Sequence, residues 1–260
     1  ILICWAVYWL EFILKGDWWP FDHFRLTGVL PRIALSYCAV AMLCKRMKPS
    51  SLALLAIVLL CLYTIILLKG NGYANDSSNI LSVVDRAVFG ANHIYTKKPV
   101  DPEGLLGLIP STAHTILGCL CGSIIKSGLP VKGKMLRIRA YGILLLACGL
   151  AVSIWLPLNK RIWSPSFVLV TCGAAAILLA LLTFILDYKG KSRWAEFFRI
   201  FGVNPLALYV LSEILSVVFS RLDIPDTLYT LFSAAMPHQW ASLLYSFFFM
   251  SIIWLIGLIF

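Results

Sequence analysis

Three ionisable side chains, Arg32, His114 and Glu213, fall well inside long apolar runs, and a fourth, Glu11, lies near the end of one. Charge in hydrocarbon is costly, so such residues read first as functional and second as structural. Arg32 follows Gly28-Val29-Leu30-Pro31 near the start of its run. A guanidinium there binds an anionic group, pairs with a carboxylate, or snorkels to the headgroups. His114 lies about three turns into its own run, with Glu103 and Pro110 on about the same helical face. It serves a proton path from the run's beginning or is a satisfied structural histidine. Glu213, midway along Leu206 to Phe219, suits a partner for Arg32 or the lining of a polar cavity. His93 and Tyr95 come shortly before Asp101-Pro102-Glu103-Gly104. A histidine titrating near neutrality can act as acid or base there, or simply be solvated. The Asp101-Pro102-Glu103 run has a purely local explanation, since a capping acid, a proline and a first-turn acid are what a helix start requires.

The elements that must position these groups follow from composition. Of 260 residues, 60% are hydrophobic and 13% charged. A soluble domain carries about a quarter charged residues, so this chain has too little polar surface to coat itself against water. The expected fold is all-α, a polytopic transmembrane helical bundle forming one membrane domain over 1–260. A spanning helix needs roughly 20 apolar residues. Candidates lie at 1–14, 26–43, 51–69, 104–126, 139–157, 165–187, 203–220 and 240–260, about eight spans in all. Ile1 and Phe260 both sit within apolar runs, so truncation at both ends is expected.

Charge orients the bundle. Lys45, Arg46 and Lys48 form one basic loop, Lys126, Lys132, Lys134, Arg137 and Arg139 a second, and Lys189, Lys191, Arg193 and Arg199 a third. The alternate connections, 15–25, 70–103, 158–164 and 221–239, hold most of the acids, which places them outside and the basic loops in the cytoplasm. The net charge of +10 is therefore topological, and no nucleic-acid surface is expected. The eight cysteines fall almost entirely in apolar runs without the spacing of a disulfide framework or a metal site, so no metal is expected.

Asp101-Pro102, Ser164-Pro165 and Asn204-Pro205 each suggest a cap followed by proline at the first helical position. Ser192 to Phe201 mixes charges and aromatics as a helix lying in the inner interface would. The outer loop region 70–103 is too long to be structureless. Within it, Ile80 to Phe89 has the pattern of a short amphipathic helix.

Five stretches, read together, resemble the heparan-α-glucosaminide N-acetyltransferase family of transmembrane acyltransferases and its bacterial relatives. They are Gly28-Val29-Leu30-Pro31-Arg32-Ile33-Ala34; Asp85-Arg86 followed by His93-Ile94-Tyr95; Asp101-Pro102-Glu103-Gly104-Leu105-Leu106; Asn159-Lys160-Arg161-Ile162-Trp163-Ser164; and Gly202-Val203-Asn204-Pro205-Leu206. The resemblance implies a multi-pass protein of the bacterial inner membrane, acetyl-CoA as co-substrate on the cytoplasmic side, and acetylation of an amino sugar or glycan amine on the outer side. It implies membrane lipid as the surroundings and leaves room for a homo-oligomer. The site would be lined by Arg32, His93, Tyr95, Asp101, Glu103, His114, Asn159, Asn204 and Glu213, with Lys189, Lys191, Arg193 and Arg199 toward the CoA phosphates. The family's catalytic histidine lies upstream of every matched stretch, and no residue of this chain corresponds to it. His93 belongs to a different motif. Two other readings stay open: a proton- or solute-conducting transporter built on Arg32, His114 and Glu213, and a catalytically inactive membrane scaffold.

Overall fold

The computed structural model describes residues 25–95 and 98–259, so the expected span at 1–14, Glu11 with it, lies outside the described residues. Every regular element among the described residues is helical, and the chain divides into two compact units.

The first unit runs to Gly190. It contains α1 (Val29–Arg46), α2 (Pro49–Lys69), the short α3 (Ile80–Phe89), α4 (Leu108–Ile125, entered through a 3-10 turn at Leu105–Gly107), α5 (Val131–Ser153) and α6 (Pro165–Thr183, prolonged by a π turn at Phe184–Tyr188). Short turns after α1 and α4, and longer connections after α2 and α5, leave α1, α2, α4, α5 and α6 alternating in direction. One end of this unit therefore gathers Lys45, Arg46, Lys126 and Lys189. The other is capped by the 70–107 connection. α4 packs against α1, α2 and α6, and Val40, Leu52, Ala56, Ile116, Leu145 and Val168 meet in the core.

The closest pairing is α5 on α6, because glycines face each other at the crossing. A Cβ on Gly142 would stand 2.9 Å from the Gly173 carbonyl oxygen, and one on Gly149 would stand 2.7 Å from the Val170 nitrogen. Small residues that let backbones touch drive helix association where lipid removes the hydrophobic incentive.

The second unit, among the described residues, runs from Lys191 to Ile259. A 3-10 turn (Arg193–Ala195) leads into amphipathic α7 (Glu196–Val203), then α8 (Pro205–Arg221), α9 (Ile224–Ala235) and α10 (His238–Gly257). α7 turns by 74° into α8 at Asn204. Phe197 stacks on Trp254 with ring centres 5.5 Å apart, and the Trp254 indole donates to the Phe197 carbonyl at 3.2 Å, fixing α7 to α10.

Five described stretches are long and apolar enough to cross a bilayer: Pro49–Lys69, Leu105–Ile125, Val131–Ser153, Pro165–Tyr188 and His238–Gly257. The bent pair Arg193–Val203 and Pro205–Arg221 makes a sixth if it is one span. The protein is thus a multi-pass integral membrane protein, but the expected count of about eight is not confirmed. The 26–43 candidate does form a helix, α1, whose 18 residues carry three cations, Arg32, Lys45 and Arg46.

Three local expectations need correction. Lys132, Lys134, Arg137 and Arg139 do not lie in a loop but on the first turns of α5, which starts after Pro130 rather than at 139. The 221–239 connection is mostly helix, α9. No helix starts at Asp101-Pro102. Asp101 is drawn into tertiary bonds, and the helical turn is deferred to Leu105. Ser164 does cap α6, accepting from the Phe167 nitrogen at 3.3 Å, whereas Asn204 precedes α8 without a side-chain capping bond.

Candidate functional site

The cap over the first unit is built from α3. Fully buried Asn79 starts that helix by accepting from the Leu81 nitrogen (2.9 Å), while its amide donates to the Gly72 and Ala74 carbonyls at 2.7 and 2.8 Å. One face of α3 then presents Leu81, Ser82 and Asp85 inward. Ser82 donates to the Pro99 carbonyl at 2.7 Å, and Asp85 accepts from the Leu105 nitrogen at 2.8 Å. Gly104 makes the latter approach possible, since a Cβ there would collide with the Asp85 carboxylate. The second Asp85 oxygen is buried without a partner among the described residues. Burial, outweighing the Leu105 bond and helped by nearby Asp101, pushes this carboxyl up to about 6.

Asp101 is the node of the cap. It is 1% exposed and accepts four bonds: from the Thr27 hydroxyl (2.5 Å), Arg25 (2.7 Å), and the nitrogens of Tyr95 and Glu103 (2.9 Å each). Burial alone would raise it, but the Thr27 and Arg25 bonds and the Arg25 charge hold it below the usual carboxylate range. Arg25 also reaches Glu103 at 2.6 Å and lies over the Tyr95 ring, 4.9 Å from its centre. These two ion pairs raise the guanidinium despite its burial.

Beneath the node lies Arg32, 6% exposed, on the first turns of α1. Its terminal nitrogens donate to the Pro102 and Gly107 carbonyls at 2.9 and 3.1 Å. The guanidinium stacks over Trp163, 4.2 Å from the ring centre, and the same indole stands 5.9 Å from the His114 imidazole. One turn deeper, Ser36 on α1 donates to Ser111 on α4 at 2.9 Å.

Trp163 owes its position to a closed turn. Asn159 accepts from the Arg161 nitrogen through its side chain (2.9 Å) and from the Ser164 nitrogen through its carbonyl (3.0 Å). The fully buried Tyr63 pins the turn by donating to the Ile162 carbonyl at 2.5 Å. Trp163 itself adopts φ 53°, a left-handed conformation that costs a non-glycine residue about 1–3 kcal/mol.

The structure therefore gathers Arg32, Tyr95, Asp101, Glu103 and His114 at one end of the first unit, with the Asn159 turn holding Trp163 among them. His93 lies at the rim, half-buried, its carbonyl accepting from the Leu26 nitrogen at 3.1 Å. From His114 an apolar groove of about 250 Å³ follows α4 past Leu117, Gly118 and Cys121, with Tyr141 and Cys172 opposite. Lys189 caps the far end of α6, its ammonium 4.7 Å from the centre of the Phe184 ring.

The remaining candidates belong to the second unit. Glu213 is exposed on α8. Asn204 lines a cavity of about 470 Å³ with Glu196, Phe197, Arg199, Leu208 and Trp254. Arg199 is held by the Glu196 carboxylate at 2.5 Å, while Lys191 and Arg193 are exposed. Four members of the first cluster were not among the residues picked from sequence as site-lining: Arg25, Thr27, Asp85 and Trp163. The available signal for Arg25 was a cation close to Asp17 and Asp22 in the connection before α1. Trp163 stands in one of the five stretches that carry the resemblance, but the backbone conformation that sets its indole under Arg32 is invisible in sequence.

No family model matches the chain. It is similar to the heparan-alpha-glucosaminide N-acetyltransferases of Homo sapiens and Mus musculus, each 28% identical over 164 residues, a stretch covering 56% of this chain and 25% of the relative. The match thus spans a quarter of the length of either relative. It supports the suspected relationship to that family.

Proposed function

We propose that this chain forms part of a membrane-embedded acyltransferase that moves an acetyl group from cytoplasmic acetyl-CoA to the amine of an amino sugar at the opposite face. The observation carrying the reading is the arrangement of the first unit: a buried network of Arg25, Asp101, Glu103 and Arg32 at one end, cations at the other, and an apolar bundle between. Similarity to a membrane N-acetyltransferase supports it.

In this reading the basic end faces the cytoplasm, as positive charge does. Lys189, at that end, then meets the CoA phosphates through charge-assisted bonds. At the capped end, Glu103 receives the ammonium of the sugar, since its carboxylate is the less buried of the two that Arg25 holds, 18% exposed against 0% for Asp101. Asp101, with four donors already around it, positions Arg25 and does not touch the sugar.

The test is acetyl transfer by the protein carrying this chain, purified into nanodiscs and supplied with radiolabelled acetyl-CoA and glucosamine. We expect N-acetylglucosamine, and a rise of about tenfold in KM for glucosamine in Glu103→Gln, the loss of about one charge-assisted bond. Absence of both CoA binding and an acetylated product on any amino sugar would sink the reading. Solute or proton flux without acetyl-CoA would replace it with a transporter.

A further inference from the structure

Three polar atoms are buried in one neighbourhood without a partner among the described residues: Arg32 Nε, Trp163 Nε1 and His114 Nδ1. A buried polar atom left unmatched is uncommon, so three around one indole call for an explanation. The first two are donors with no accepting capacity, so whatever matches them must be an acceptor. Among the described residues no carboxylate forms an ion pair with Arg32, which is answered only by two carbonyls. Its charge therefore favours an acceptor that is negative or becomes so. The guanidinium cannot swing away, because both terminal nitrogens are engaged and its face lies on the indole. The indole is fixed in turn by the 159–164 turn and by its left-handed backbone.

We propose that Arg32 Nε–H and Trp163 Nε1–H form a site for a single acceptor oxygen, occupied during acyl transfer by the carbonyl oxygen of the transferred acetyl group. This assignment rests on the acyl-transfer reading above. The sugar ammonium held by Glu103 first gives one proton to solvent; the neutral amine nitrogen then attacks the thioester carbon, the new C–N bond forms, and the carbonyl π pair moves onto oxygen. Arg32 and Trp163 hold that oxyanion. Its collapse restores the carbonyl and breaks the C–S bond. The proton lost by nitrogen ends on the departing thiolate, giving amide and thiol. Donors fixed in place before charge develops stabilise it without reorganising, which is where this kind of site gains its effect. His114 stands across the same indole, its ring centre 5.9 Å from that of Trp163.

The variants are Trp163→Phe, which keeps the ring and removes the N–H, and Arg32→Lys, which keeps the charge and removes Nε. Both are to be purified in nanodiscs, with thermal unfolding reported alongside. We expect kcat for acetylation to fall by about 100-fold in each, with KM for acetyl-CoA and glucosamine within about twofold. An unchanged kcat, or a loss confined to KM, overturns the proposal. A second measurement stands apart from activity. Sodium acetate, as a simple oxygen acceptor, should raise the unfolding midpoint of the parent and not of either variant. If the parent transfers no acetyl group but acetate protection still depends on Arg32 and Trp163, the acetyltransferase reading falls and the acceptor site stands. Absence of both transfer and such protection removes the site as well.

Discussion

At the scale of single residues, the capped end sets two buried carboxylates against each other in sign. The Asp85 carboxyl is raised to about 6, so the folded state holds a proton that the unfolded chain, titrating near the ordinary 3.8, has released. Stability from this group is complete at low pH and is lost as pH climbs between those values. Asp101 is depressed and acts the other way, its contribution present at neutral pH and lost as pH falls below the usual carboxylate range. Thermal unfolding of the protein in nanodiscs across pH 3 to 8 should therefore show Asp85→Asn flattening the slope between about 4 and 6 without lowering the midpoint at pH 7. Asp101→Asn should lose about 2–4 kcal/mol at pH 7, because an amide cannot accept all four donors and leaves Arg25 without its more buried partner. The range is reduced for the partial exposure of Arg25, whose side chain is 24% accessible.

At the scale of elements, the helices were legible because apolar length is a one-dimensional property. Pro49–Lys69 and Pro165–Tyr188 fall within two residues of the expected 51–69 and 165–187, and α3 occupies the Ile80 to Phe89 expected of it. Boundaries failed where tertiary bonds outweighed local chemistry. Asp101-Pro102-Glu103 has every mark of a helix start, yet the Asp101 carboxylate is worth more to Arg25, Thr27 and Tyr95 than to a capping turn. Arg32, Glu103 and His114 could be picked as unusual residues, whereas Trp163 and Asp85, legible only as members of motif stretches, showed their place beside them once the chain had folded. The α5–α6 crossing makes the sharpest test at this scale. Gly173→Val places its Cβ against the Leu146 backbone, where no side-chain rotamer can relieve the overlap. We expect a loss of about 1–3 kcal/mol or failure to accumulate in the membrane, whereas Gly118→Ala, facing open space on α4, should be tolerated. Expression and thermal unfolding read both.

At the scale of the whole molecule, the distribution of charge makes a topological commitment. With the native cysteines replaced, Cys at Ser77 on the capped end should react with a membrane-impermeant maleimide from outside, and Cys at Lys132 only after permeabilisation; both positions are exposed. Reversed labelling would exclude cytoplasmic donor use at the basic end. The wiring of the cap also dictates an order of events during synthesis. Asp101 needs Arg25 and Thr27 from before α1, Asp85 needs Leu105, and Arg32 gains its aromatic floor only when the turn pinned by Tyr63 has been made. A nascent chain with α1, α2 and α4 in the bilayer but nothing beyond residue 130 would hold the cap bonds of Asp101 and Asp85 yet still have Arg32 without Trp163. Protection of the cap from protease should therefore begin once α4 is in place and be completed in a second step, when the α5–α6 hairpin brings Trp163. The residue that makes the site chemically interesting is also the one that leaves the half-made protein most dependent on whatever attends it in the membrane.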